Sequence, residues 1–226
     1  MEEISLRGKK YRLNIQKKAV RSLRLRLRNK NEIEVTVPQL MPMFLVQQFL
    51  KNHSEWIEKN NQKIKKNKDL SKLKSIRILG EKYEVEVKKA LRESLVIMDK
   101  KIFINYSDKR KIKRLVDQKM RPWALRIIKE KINELAGKHR LNYGKISVKN
   151  QSSRFGSCSS QGNLNFNWQI ILLPMDKFEH VIWHELAHLT VKNHSRDFWD
   201  LMAKYDPKYV ENRRWLKTQG AKMFLV

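Results

Sequence analysis

The chain has 226 residues, 41% hydrophobic and 32% charged, enough for one large domain or two small ones with a real core. A single cysteine, Cys158, excludes an intrachain disulfide. No stretch approaches the ~20 apolar residues of a membrane span, and Met1-Glu2-Glu3 opens no signal-like apolar run, so a soluble cytoplasmic protein with no membrane partner is expected. Fifty Lys and Arg against 23 Asp and Glu give a net charge of +27. That charge points to an anionic partner such as nucleic acid, an acidic surface or a nucleotide, or else to a lysine-rich composition with a solvated surface.

The charge is uneven. From Lys145 onward there are 12 basic and 7 acidic residues, leaving 38 basic and 16 acidic in residues 1–144. In that basic part, Tyr11 to Ile15, Leu23 to Arg28 and Ile33 to Val37 alternate apolar and polar residues, predicting a half-buried antiparallel meander that Pro38 ends. Arg24, Arg26 and Arg28 form a stripe on one face, solvated or contacting phosphates. A helix is expected from Met43 to Lys63 with Phe44, Leu45, Phe49, Trp56 and Ile57 on its apolar side. Residues 59–75, rich in Lys and Asn, read as a frayed helix end and linker or as a basic nucleic-acid tail.

The pattern then recurs. Gly80-Glu81-Lys82-Tyr83 echoes Gly8-Lys9-Lys10-Tyr11, and Trp123 takes the place of Trp56, suggesting a degenerate βββα repeat. We therefore expect a basic module at 1–75, a second β-rich and helical module at 76–144, and a metal-binding core at 145–226. Residues 109–138 read as a helix kinked or broken at Pro122. Ile146-Ser147-Val148 is a short strand, and residues 152–162 a polar loop. Asn163 to Trp168 alternates strictly, with three apolar side chains on one face and Asn163, Asn165 and Asn167 on the other. Asp176 is expected to cap the next helix, Ser195 the one after it, and Tyr209 to Gln219 forms the last.

The helix beginning near Asp176 carries His184-Glu185-Leu186-Ala187-His188, an H-E-x-x-H motif, with His194 following after five intervening residues. One helical turn puts His184 and His188 on a common face, able to hold one metal ion. Glu185 is rotated about 100° from them, beside the metal rather than on it. Three nitrogen donors with an open fourth position suit zinc, and Glu185 would then serve as general base toward an activated water. Zinc proteases with H-E-x-x-H-x-x-G-x-x-H turn back to the third histidine at a glycine. Val191 stands there in this chain, so Asn193 in a left-handed conformation is the expected helix stop. Asp197 and Asp200 are solvated acids or partners orienting a ligand imidazole. His180 is expected at the rim, with a fourth-ligand or substrate role as alternatives.

Ser153-Arg154-Phe155-Gly156-Ser157-Cys158, Gly162 to Trp168, His184-Glu185-Leu186-Ala187-His188, and Asn193-His194-Ser195 followed by Phe198-Trp199 resemble the YgjP-like metallopeptidase family. That family is related to the SprT/Spartan zinc proteases and has Trp where this chain has Phe155. The resemblance implies an α+β, zincin-like catalytic fold behind a β-rich antiparallel N-terminal part, with His184, His188 and His194 as ligands and Glu185 in the site. It implies a peptidase acting on protein or peptide. Some members are described instead as nucleotide (UTP) pyrophosphatases.

In such a fold a strand borders the active-site helix and pairs with extended substrate. Asn163 to Trp168 is the candidate, its asparagines lining the substrate or its apolar face simply packing the core. Arg154 binds a substrate carboxylate or phosphate, or ties down its loop. Cys158 reads as a small buried side chain. The expected function is thus a zinc metallopeptidase. A metal-dependent pyrophosphatase is the alternative, weakened by the lack of a G-x-x-x-x-G-K-[ST] loop, and a nucleic-acid-binding protein with structural zinc is the third reading.

Overall fold

A computed structural model describes residues 2–29, 31–63, 69–151 and 154–225. The chain forms two compact units, Met1–Lys68 and Asp69–Val226. Residues 76–144 and 145–226, divided in the sequence reading, therefore share one unit.

In the first unit, β1 (Glu2–Leu6), β2 (Lys9–Lys18), β3 (Arg24–Asn29) and β4 (Glu32–Pro38) form one sheet in the order β1-β2-β4-β3. The β1–β2 and β3–β4 pairs are antiparallel, but β2 and β4 run parallel, so this is not the simple meander expected. Side-chain content explains the order. Ile33, Val35 and Val37 of β4 are fully buried, so β4 takes a position with a neighbour on each side. The arginine-bearing β3 goes to the edge, where charge also blocks further pairing. Arg24 and Arg26 face outward, whereas Arg28 is committed to Glu34 at 2.8 Å.

Two helices follow, α1 (Met43–Asn52) and α2 (Ser54–Lys63), separated at His53. Their buried face is Val46, Leu50 and Ile57; of the apolar side expected from the sequence, only Ile57 is fully buried. Phe44 and Trp56 are 66% and 46% exposed. The break at His53 is what puts α1 and α2 out of one helical phase. Of the expected linker at 59–75, residues 64–68 lie outside the described residues. Asp69 caps a short 3₁₀ turn, Leu70–Lys72, by accepting from the Ser71 amide.

The second unit opens with β5 (Ser75–Ile78), β6 (Glu81–Lys89), β7 (Ser94–Met98) and β8 (Lys101–Tyr106), in the order β5-β6-β8-β7. It matches the first sheet strand for strand, including the parallel central pair. Even the first turns agree: Arg7-Gly8 and Leu79-Gly80 both have two positive φ angles, the conformation of a tight hairpin turn. Beside this sheet α3 (Ile112–Lys138) runs through Pro122 unbroken. Met120 and Ala124 on either side of the proline are buried, and this packing holds the helix across the missing amide.

A third sheet has the order β10-β11-β9, from β9 (Ile146–Lys149), β10 (Gly156–Cys158) and β11 (Leu164–Asn167). Leu164, Phe166 and Trp168 are fully buried, as their alternation predicts. Next come α4 (Met175–Thr190), α5 (Arg196–Tyr205) and α6 (Tyr209–Trp215), which continues through a π-helical turn, Leu216–Gly220. Pro174 rather than Asp176 caps α4; Asp176 lies in its first turn and accepts from the Lys177 amide. Ser195 caps α5 by position, with no bond from its side chain. The architecture is α+β, with α4 at the centre of the larger core.

Trp168 joins this core to α3: its Nε1–H donates to Asp117 at 2.8 Å, and Arg121 holds the same carboxylate. Replacing Trp168 with Phe keeps most of the buried area and removes one charge-assisted hydrogen bond. Chemical denaturation of Trp168→Phe is expected to show a loss of about 1–2 kcal/mol.

Candidate metal centre and active-site cavity

The α4 helix is buried over most of its circumference: Phe178, Val181, Ile182, Leu186 and Ala187 are at most 3% exposed. Its polar side chains must therefore find partners. His184 and His188 sit one turn apart with ring centroids separated by 4.9 Å. The helix then stops at Val191, in an extended conformation (φ −120°, ψ 112°) that suits a β-branched residue. Asn193 is not left-handed, contrary to expectation. Val191 serves twice: its amide donates to the Ala187 carbonyl, and its own carbonyl accepts from His188 Nδ1 at 3.0 Å. That bond fixes the His188 tautomer and frees Nε2.

The turn brings His194 back over the helix. Its ring centroid is 5.0 Å from that of His184 and 4.8 Å from that of His188. One ring nitrogen from each of the three lies within 4.8 Å of the others. Phe198, fully buried, underlies all three rings with centroids 4.6–5.0 Å away. Trp199 stacks on His194 and on Tyr209, and the Arg213 guanidinium lies 4.3 Å from the Trp199 ring centre.

The nitrogens themselves show whether a metal fits. His184 Nε2 and His194 Nε2 are 3.0 Å apart. At that distance two neutral imidazoles meet either through an N–H···N hydrogen bond, with one ring in its Nε2–H tautomer, or as two donors to a shared cation. Burial, then the neighbouring imidazoles and Arg213, keep His184 neutral by pushing it down to about 3. Burial also lowers His194. Neutral imidazoles are the form in which histidine binds a divalent cation, and three nitrogen donors leave one position open. The donor set fits a metal ion.

Glu185 packs against Gly156 of β10. It is 5% exposed, and burial pushes its carboxyl up to about 8 against the pull of Arg154. Gly156 makes room for it: a Cβ there would come within 2.7 Å of Glu185 Oε1. Beside Glu185 and His184 opens a cavity of about 360 Å³ with Phe155, Val181 and Leu216 among its apolar walls. His180 also lines it. Its Nδ1 lies 2.6 Å from Asp206, which in turn accepts from Asn212, so His180 stands apart from the cluster of three. The His180–Asp206 pair and the Trp199–Arg213 stack escaped the sequence reading, because their members lie far apart in the chain. Gly156 was within reach of it, being a glycine inside a motif already singled out.

Of the other expected site residues, Arg154 lines the cavity and is exposed. The three asparagines do not line it. Asn163 Oδ1 accepts from the Lys145 amide, Asn165 Oδ1 from Ser147, and Asn167 binds the Gln151 carbonyl and the Gln169 amide. Moreover β11 is the central strand of its sheet, with its backbone paired on both sides. The sheet's edge strands are β9 and β10, and β10 is the one that packs beside α4. Asp197 is exposed and Asp200 faces Arg196 at 3.8 Å, so neither orients an imidazole. Cys158 is half-buried and burial raises its thiol.

Residues 21–219 match the family described as YgjP-like, metallopeptidase domain. The chain belongs to the YgjP-like metallopeptidase family. It is thus a metallopeptidase by family, a hydrolase whose chemistry implies a bound metal and whose partners are proteins or peptides. Two solved structures are similar over part of the chain, both metallopeptidase zymogens. Jannalysin of Methanocaldococcus jannaschii is 23% identical, over 40% of this chain and 95% of its own, with a TM-score of 0.35. Abylysin of Pyrococcus abyssi is 20% identical, over 41% and 95%, also at 0.35. No curated protein matches significantly. None of these comparisons supports nucleic-acid binding by the basic N-terminal residues. Among the described residues no helix is long and apolar enough to cross a membrane.

The close approach of Gly156 to Glu185 gives a direct test of this YgjP-like site. Gly156→Ala forces the carboxylate to move while leaving the histidines untouched. Peptide hydrolysis is expected to fall about 100-fold with metal content unchanged, as for a catalytic group displaced by about 1 Å.

Proposed function

We propose that the protein is a zinc-dependent peptidase in which His184, His188 and His194 hold the metal and Glu185 is the general base. The observation that carries this reading is the convergence of three imidazole nitrogens within 4.8 Å beside a buried carboxylate that opens on a cavity. A bound zinc ion supplies the Lewis acidity that makes water a nucleophile at neutral pH.

The chain's own residues do the rest. Burial gives the Glu185 carboxylate a raised proton affinity, suiting it to take a proton from the attacking water and deliver it to the leaving amine. Gly156 keeps that carboxylate within reach of the substrate. The free edge of β10 offers backbone groups to an extended peptide, so substrate pairs there and not on β11, whose asparagines hold the sheet together. The bond from His188 Nδ1 to Val191 keeps one ligand nitrogen oriented, and the Trp199 stack keeps His194 over the helix.

The test is metal analysis followed by assays on denatured protein, peptides and UTP. Glu185→Gln is expected to retain zinc and to lose peptide hydrolysis by roughly 10²–10⁴-fold. Chelation should abolish the wild-type activity and added zinc restore it. Full activity of Glu185→Gln would overturn the mechanism, and hydrolysis of UTP in place of peptides would overturn the substrate class.

A further inference from the structure

The cavity beside Glu185 carries more positive charge than its surroundings require. Arg154, Arg213 and Lys217 all line it, and Glu185 is its only acidic residue. This is not a diffuse effect of a basic chain, because residues 145–226 hold only 12 basic residues against 7 acidic. Most of those acids are engaged elsewhere. Glu179 pairs with Lys131, Asp200 with Arg196, and Asp206 with His180, while Asp176 and Glu211 both approach Lys177.

Among the described residues, neither Arg213 nor Lys217 has a carboxylate partner within 4.0 Å. Arg154 acts on Glu185 only through its field. Arg213 is further fixed by its stack on Trp199, so its guanidinium is held beside the cavity with its hydrogen-bond donors unspent. The apolar walls, Phe155, Val181 and Leu216, lower the local dielectric and strengthen any ion pair made there. His180 adds no competing acid, since its partner Asp206 is only 11% exposed behind it.

Resting on the peptidase reading above, we propose that this cavity selects a carboxylate on the residue flanking the scissile bond, bound by Arg213 and Lys217 with Arg154 assisting. The carboxylate is an acidic side chain or the peptide's own C-terminus. The volume of about 360 Å³ accommodates a side chain of that size, and the position beside His184 and Glu185 puts its residue next to the reacting carbonyl.

The experiment has three arms, all with the zinc-loaded protein. In the first, a denatured protein mixture is digested and the new termini are sequenced by mass spectrometry. Asp, Glu or a chain terminus is expected to be enriched at one flanking position. In the second, matched peptides carrying Glu or Gln at that position, with free or amidated C-termini, are compared by kcat/KM. The acidic or free-carboxylate member is expected to be preferred roughly tenfold, less at high salt. Amidation tells the C-terminal source from the side-chain source. Arg213→Ala with Lys217→Ala should bring the ratio close to one.

In the third arm, Glu185→Gln protein is titrated with the same peptides, and the anionic member should bind more tightly by a similar factor. Cleavage without acidic enrichment overturns the proposal. So does an equal loss on acidic and neutral peptides in the double variant, which would mark Arg213 or Lys217 as a transition-state residue instead. If no peptide is cleaved at all, the peptidase reading fails. The pocket is then judged by the binding arm alone, where equal affinity for Glu and Gln peptides overturns it.

Discussion

The rest of the larger unit depends on bringing three imidazoles together, with one ring nitrogen of each within 4.8 Å of the others. His184 Nε2 and His194 Nε2 lie 3.0 Å apart, and burial keeps the His184 ring neutral. The larger unit is organised to hold this cluster. The buried faces of α4 lock two of the rings one turn apart. Val191 ends the helix and spends its carbonyl on His188, while Phe198 and Trp199 pack His194 into place from the next helix. Each of these contacts is ordinary, but together they hold open a place for a cation.

The same logic governs Glu185. A carboxylate 5% exposed in an apolar wall has a raised proton affinity, and the fold tolerates it because Gly156 gives it space and Arg154 lies near enough to act on it. The cavity that results is asymmetric. Metal donors lie to one side and unpartnered cations to another, which is the basis for discriminating among substrates as well as for cleaving them.

The motif helix, the third histidine, the apolar alternation of Leu164, Phe166 and Trp168, and the family were legible because each rests on local spacing. Matched glycines at 8 and 80 also mark turns that adopt the same conformation in two sheets of the same strand order. What failed were inferences about neighbours in space. Whether β11 is an edge or a centre depends on where β9 and β10 fall, which alternation does not encode. The asparagine face read as a substrate wall is instead bonded to Lys145, Ser147 and Gln151. The parallel β2–β4 pair likewise depends on competition among strands for the central place. At Val191 and Pro122, local preference was weighed without tertiary packing: an extended β-branched residue ended α4 without a left-handed stop, and buried neighbours carried α3 through its proline.

The central claim is the identity of the metal donors. X-ray absorption spectroscopy on the zinc-loaded protein tests it most directly. The account predicts three nitrogen donors and one oxygen, with one nitrogen lost in His194→Ala. A sulfur donor from Cys158, or an unchanged spectrum in His194→Ala, would contradict it.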